Sequence, residues 1–125
     1  MKTSLDPRHR LRQKMIQHLF SSQYHHVHDP LISAVWDKLP QIDPLIAKSA
    51  PEWPIDKLNA IDLAILRLAV FELTVDKKQP FKVIIDEAVE LAKEFGASGS
   101  PAFINGALGN LVKSLDLEDH ESPQS

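Results

Sequence analysis

The chain has 125 residues, with 43% hydrophobic and 25% charged residues and a formal net charge of −3. This length suits one domain with one core, and the composition is ordinary for a globular protein. Cysteine is absent. Its absence excludes disulfides, thiolate metal sites and cysteine nucleophiles, and it is consistent with a reducing cytosol. With neither a signal-like segment nor an apolar run long enough to cross a bilayer, we expect a cytoplasmic protein.

The basic residues are concentrated at one end. Residues 1–28 carry a net charge of +4, whereas residues 29–125 carry −7. A cationic end on an otherwise acidic chain indicates a localised site for a polyanion. The alternative is a basic helix face that is simply solvated. The five cations of this end are Lys2, Arg8, Arg10, Arg12 and Lys14.

Three Asp-Pro pairs predict helix starts at residues 6–7, 29–30 and 43–44. Aspartate is a favoured N-cap, and proline suits the first helical position because its missing N–H is not needed there. The first helix has its core face on apolar residues between Leu11 and Phe20. We expect the second helix to end at Pro40 and the third to be short.

The most apolar stretch, residues 55–75, predicts a central helix of a small bundle, or two short helices in line. A break is expected near Asn59 and Asp62, with Asp62 as the N-cap of the second part. Trp53 precedes this stretch, and we expect it to pack as a plug at the helix entry.

Arg67 lies inside the apolar stretch, where a cation is costly unless it is paired. We expect an internal ion pair with Glu87 or Glu90 of the next helix. A direct role of Arg67 in binding is the alternative.

The last two helices are predicted at about 81–95, ending at Gly96, and from Ser100-Pro101 to Leu115. Gly106 inside the last helix is expected to allow a close helix contact. We expect one domain over residues 1–115 and an acidic, disordered tail over 116–125. The charged residues of the 81–95 helix are expected on its solvated face: Glu87, Glu90, Lys93 and Glu94.

No motif of an enzyme is present: GxGxxG, P-loop and GxSxG sequences are all missing. The adjacent carboxylates Asp86-Glu87 point about 100° apart on a helix and do not converge as an acid–base pair. His18 is expected to be partly buried and hydrogen-bonded. The histidines at positions 25, 26 and 28 are expected in a solvated loop, since no further ligand stands at a regular spacing. The chain is therefore predicted to have no catalytic residue, cofactor or metal.

The strongest functional signal is the basic first helix. Arg8, Arg10, Arg12 and Lys14 would neutralise phosphates of a nucleic acid, with affinity falling as salt rises. Phe103, beside a Gly/Pro turn, is a candidate for stacking an unpaired base. The alternative for Phe103 is a place in the core.

Four blocks of the chain resemble successive signature blocks of the NusB transcription antitermination factors, in matching order and spacing. The resemblance covers nearly the whole chain and implies an all-α fold, a compact bundle of about six to seven helices in two packed halves. In that family Arg67 and Glu87 belong to the structural signature. The four blocks are RHRLRQKMIQHLF (residues 8–20), AILRLAVFEL (64–73), FKVIIDEAVELAKEFG (81–96) and FINGALGNL (103–111).

The resemblance also implies a function: binding of boxA-type single-stranded RNA together with a small-subunit ribosomal protein, NusE, on elongating RNA polymerase. It implies RNA contacts from Arg8, Arg10 and Arg12, which match the arginine-rich first helix, and from Phe103, which matches an aromatic position. The second hypothesis is a protein–protein interaction module of the same fold with weak or no RNA binding. A monomer and a homodimer are both compatible with the sequence.

Overall fold

The structure, a computed structural model, describes residues 6–25 and 28–117, which form six α-helices and no strand. A 3-10 turn (Ile55–Lys57) precedes the fourth helix, and a π-helical turn (Glu72–Asp76) extends it. The predicted all-α bundle is confirmed. The helices are α1 (Pro7–Ser22), α2 (Ser33–Asp37), α3 (Leu39–Ser49), α4 (Ala60–Phe71), α5 (Phe81–Phe95) and α6 (Ser100–Ser114).

Helix α4 is the centre of the bundle, as its apolar sequence predicts, and it packs against each of the other five helices. The two parts of the chain, α1–α3 and α5–α6, therefore meet on it. The predicted break before α4 is present, but its N-cap is Asn59 and not Asp62. The Asn59 side-chain oxygen accepts the N–H groups of Ile61 at 2.8 Å and Asp62 at 3.3 Å. Asp62 lies in the first turn and is buried.

Only the first Asp-Pro pair starts a helix as predicted, with Asp6 accepting the Arg8 N–H at 2.9 Å. Residues 30–32 form a turn, and α2 begins at Ser33. Pro40 does not end α2, which stops at Asp37; it is the second residue of α3, where proline is tolerated in the first helical turn. Pro44 therefore lies inside α3, where no short separate helix begins.

Two side chains expected to pack are exposed. Trp53 is 53% exposed and is not the predicted plug; the partly buried Ile55 and Leu58 pack against the core in its place. A Cβ atom added at Gly106 would meet nothing within 4 Å, so this glycine does not mediate a close helix contact.

The ends of α5 at Phe95 and of α6 at Ser114 lie where the sequence predicts them. Leu115 and Leu117 are partly buried against the core. Most of the predicted acidic tail, residues 118–125, lies outside the described residues. Within the described ranges, no helix combines the length and apolarity needed to span a membrane.

Candidate nucleic-acid interface

The basic end of α1 divides into exposed and buried cations. The Arg8 side chain is 67% exposed, and Arg10 and Lys14 also lie on the surface. Arg12 is buried, with only 8% of its surface accessible. The four predicted cations thus lie on one helix, but they do not share one environment.

Arg12 connects α1 to two other parts of the bundle. Its Nε and Nη2 donate to the two carboxylate oxygens of Glu72 at 2.8 and 2.7 Å, and its Nη1 lies 3.3 Å from Glu87 Oε1. Such a fork-to-fork pair is directional as well as strong. Burial opposes the charge on Arg12, but Glu72 and Glu87 together raise the pKa of its guanidinium. Arg12 is therefore committed to internal carboxylates.

His9 is the buried residue of the site that sequence reasoning missed. Its Nδ1 lies 2.8 Å from Glu87 Oε1, and its Nε2 lies 2.9 Å from Glu94 Oε2. Since carboxylates only accept, both ring nitrogens donate, which is the arrangement of an imidazolium. Burial acts to lower the pKa of His9, but the hydrogen bonds to Glu87 and Glu94 outweigh it and raise that pKa.

We call these five residues the α1 ion cluster: His9, Arg12, Glu72, Glu87 and Glu94. It corrects the expectation that Glu87 lies on the solvated face of α5, because Glu87 is only 4% exposed. The spacing of residues along α1 contains a signal for this cluster. The buried positions of α1 recur at spacings of three and four: His9, Arg12, Ile16, Leu19 and Ser22. The apolar-stripe rule instead selected Leu11, which is 48% exposed.

Arg8 lines two open clefts beside the ion cluster. One, of about 270 Å³, is shared with Val83 and Asp86 of α5. The other, of about 230 Å³, includes Lys78 and an apolar wall. The cationic rim of this second cleft thus comes from two segments, α1 and the turn after α4. The wall consists of Leu11, Met15, Leu68 and Phe71.

Phe103 lies in the first turn of α6, partly buried against the core. It lines neither of the two clefts that contain Arg8. The structure therefore supports a core contact for part of the ring and leaves part of it accessible.

Arg67 forms the internal ion pair predicted for it, but with a different partner. Its Nε and Nη2 donate to the carboxylate of Asp43 on α3 at 3.0 and 2.9 Å. The prediction of Glu87 or Glu90 was wrong because Arg67 faces α3, and Glu87 is occupied by the α1 ion cluster.

The described part of the chain contains three further histidines: His18, His25 and His28. His18 is partly buried and lies 2.7 Å from Asp29 Oδ2, as a hydrogen-bonded histidine should. No group of three or more potential metal ligands occurs among residues 6–25 and 28–117. His26 lies outside those ranges.

Comparison with known proteins gives a consistent result. The model of the NusB family matches residues 3–113. A NusB transcription antitermination protein of Herpetosiphon aurantiacus is 39% identical over 81% of this chain and 71% of its own length. Those of Chloroflexus aggregans and a Shewanella species are 45% and 51% identical, each over 66% of this chain. The matched segments span only 56% and 60% of these two relatives.

A solved structure of T. maritima NusB superposes with a TM-score of 0.77 at 30% identity, covering 90% of this chain and 93% of that one. The family match, the relatives and the superposed fold agree over most of the chain. The protein belongs to the NusB family.

Proposed function

We propose that this chain is a cytoplasmic, non-enzymatic transcription antitermination factor that binds boxA-type single-stranded RNA. In this proposal it acts with the ribosomal protein NusE on elongating RNA polymerase. Its relatives carry the name transcription antitermination protein. The observation that carries the proposal is a set of exposed cations, Arg8, Arg10 and Lys14, on a helix that the α1 ion cluster holds in place.

The exposed cations supply the phosphate contacts of the proposed interface. For single strands, the logarithm of the binding constant falls with the logarithm of salt concentration by about 0.7 per neutralised phosphate. Three contacts correspond to a slope of about −2. Arg12 acts indirectly in this proposal: it orients α1 through Glu72 and Glu87. The accessible part of Phe103 offers a stacking surface for one base.

The test is a variant that removes the three exposed cations, Arg8→Ala/Arg10→Ala/Lys14→Ala. We expect its affinity for a boxA-type RNA to fall by about 100-fold at low salt and its salt dependence to flatten by about two units, since three phosphate contacts are lost. Filter-binding titrations with and without NusE measure both quantities.

The matched control is Lys38→Ala/Lys48→Ala/Lys57→Ala, which removes three exposed cations from other parts of the surface. It changes the net charge equally and should keep at least a third of the parent affinity. Equal losses in the two variants would show that only overall charge matters, and parent-like binding by the α1 variant would rule out the basic helix as the RNA site. Circular dichroism verifies that both variants remain helical.

The second candidate function is a protein–protein interaction module with weak or no RNA binding. One observation favours it: the cleft of about 230 Å³ beside Arg8 has an apolar wall, including the half-exposed Leu11. Binding of NusE by the parent chain with no RNA binding at low salt would select this candidate. Sedimentation of the free chain distinguishes a monomer from a homodimer.

A further inference from the structure

The largest of the described clefts lies where the described part of the chain ends. It has a volume of about 610 Å³ and is walled by side chains of α3, the turn after α4 and the end of α6. Leu117, the last described residue, is one of its walls, and Lys77 is its cation. The described part of the chain therefore ends at this cleft.

The same cleft adjoins the basic end of α1 through a single residue. Gln79 lines the 610 Å³ cleft together with Leu117, and it also lines both clefts that contain Arg8. Lys78, whose side chain is 78% exposed, borders the cleft that includes Arg8. A path from Leu117 along the turn at 77–79 thus leads to Arg8.

The residues that follow Leu117 have the charge that suits this path. The segment 118–125 reads EDHESPQS and contains three acids and no Lys or Arg. Eight residues reach about 26 Å at about 3.3 Å per residue. The path offers Lys77, Lys78 and Arg8. Arg8 and Lys78 already contact Asp6 at 3.4 Å and Asp76 at 3.7 Å, but exposed pairs of this kind are weak, so the carboxylates of the segment compete with Asp6 and Asp76 for these two cations.

We propose that segment 118–125 docks along the turn at 77–79 toward Arg8 and competes with RNA phosphates for the basic end of α1. The competition rests on the proposed RNA-binding function, whereas the docking stands independently of it. Tethering gives such a segment an effective concentration in the millimolar range, so even a weak contact is populated. RNA, with more phosphates, displaces it, and the segment thereby lowers the apparent affinity for every RNA by the same factor.

The first test is RNA binding by the full chain carrying Glu118→Gln/Asp119→Asn/Glu121→Gln. We expect this variant to bind a boxA-type RNA about threefold more tightly than the parent at low salt, because the competing carboxylates are gone. The difference should vanish near 0.5 M salt, where the Debye length is about 4 Å and interactions between more distant charges are screened.

The matched control is Asp37→Asn/Glu52→Gln/Asp56→Asn, which neutralises three exposed acids that line none of the clefts described above. An equal gain of affinity in this control would assign the effect to net charge and overturn the proposal. Unchanged affinity in the 118–121 variant would overturn it as well.

A second measurement separates the docking from the RNA-binding function. Without RNA, the backbone amide signals of Lys77, Lys78 and Gln79 should differ between the parent and the 118–121 variant at low salt and converge at high salt. Unchanged amide signals overturn the docking whatever the RNA result. Amide signals that differ between the parent and the 118–121 variant, combined with no RNA binding by the parent, would support the docking and reject the proposed function.

Discussion

At the scale of single residues, His9 and Arg12 place two charges on the buried face of α1, three positions apart. A buried charge is tolerated only when it is paired and hydrogen-bonded. Glu87 meets both cations, since its Oε1 lies 2.8 Å from His9 and 3.3 Å from Arg12. One of the contacts that hold α1 against α5 therefore depends on the charge of an imidazole.

The charge of His9 leads to a prediction about pH. Because the pKa of His9 is raised in the folded chain, its contribution to stability is complete below the unfolded value of 6.5 and is lost as pH rises through the folded pKa. His9→Gln should lower the free energy of unfolding by about 3 kcal/mol at pH 6. The gap between parent and variant should narrow by pH 9. Urea unfolding at both pH values measures it, and a gap that is constant with pH would contradict a protonated His9.

At the scale of elements, the junction between α5 and α6 requires a glycine at position 96. The reason is lack of space for a side chain and not the backbone conformation. Gly96 has φ −93° and ψ −174°, which any residue adopts. A Cβ atom there would lie 2.6 Å from Ser100 Cβ and 2.8 Å from the Ala92 carbonyl oxygen. Ser100 cannot move easily, since it is 2% exposed and its Oγ accepts the Ala97 N–H at 3.0 Å.

Gly96 and Gly106 differ in the free space around them, so replacing them by alanine should have opposite effects on the free energy of unfolding. Gly96→Ala should destabilise the chain by about 1–3 kcal/mol because the added methyl group overpacks the junction. Gly106→Ala, in the interior of α6 with open space around it, should stabilise the chain by about 0.5–1 kcal/mol through helix propensity. Urea unfolding of both variants tests the pair. A destabilised Gly106→Ala would mean that α6 makes a close contact at this position.

At the scale of the whole molecule, α1 is held to the bundle by its packing on α4 and by the ion cluster that reaches Glu72 and α5. Arg67 and Asp43 form an equivalent fork-to-fork pair between α4 and α3. The two pairs link different helices to the same central one. They therefore provide matched sites at which to loosen one helix at a time.

Glu72→Gln should loosen α1 specifically, because Arg12 keeps only one of its two carboxylate partners. Breaking a buried pair costs about 3–5 kcal/mol. We expect faster hydrogen exchange of the α1 amides and weaker RNA binding, because the exposed cations lose their fixed positions. The matched control Asp43→Asn should loosen α3 and leave α1 exchange and RNA binding near the parent values. Equal effects of both variants on α1 would show that the bundle opens only as a unit.

Local sequence signals account for most of the helices. The Asp6 cap, the apolar run of α4 and the ends of α5 and α6 were predicted because each depends on neighbouring residues alone. Two of the wrong predictions, those for Asp43 and Glu87, have a common cause. A local signal was read where a distant partner decides: Asp43 binds Arg67 instead of capping a helix, and Glu87 turns inward to meet His9 and Arg12.

The amino-acid sequence by itself determined the all-α class, the central place of α4, the cationic N-terminal end and membership of the NusB family. These follow from period, composition and motif order, which are properties of the chain read locally. Only the tertiary structure decided which cations of α1 are exposed, that Arg12 and His9 are buried with carboxylates, and that Leu117 and Arg8 border clefts joined by Gln79. The physical reason is that a charged side chain on a helix can be solvated or paired. The choice depends on carboxylates that lie 60 or more residues away in sequence.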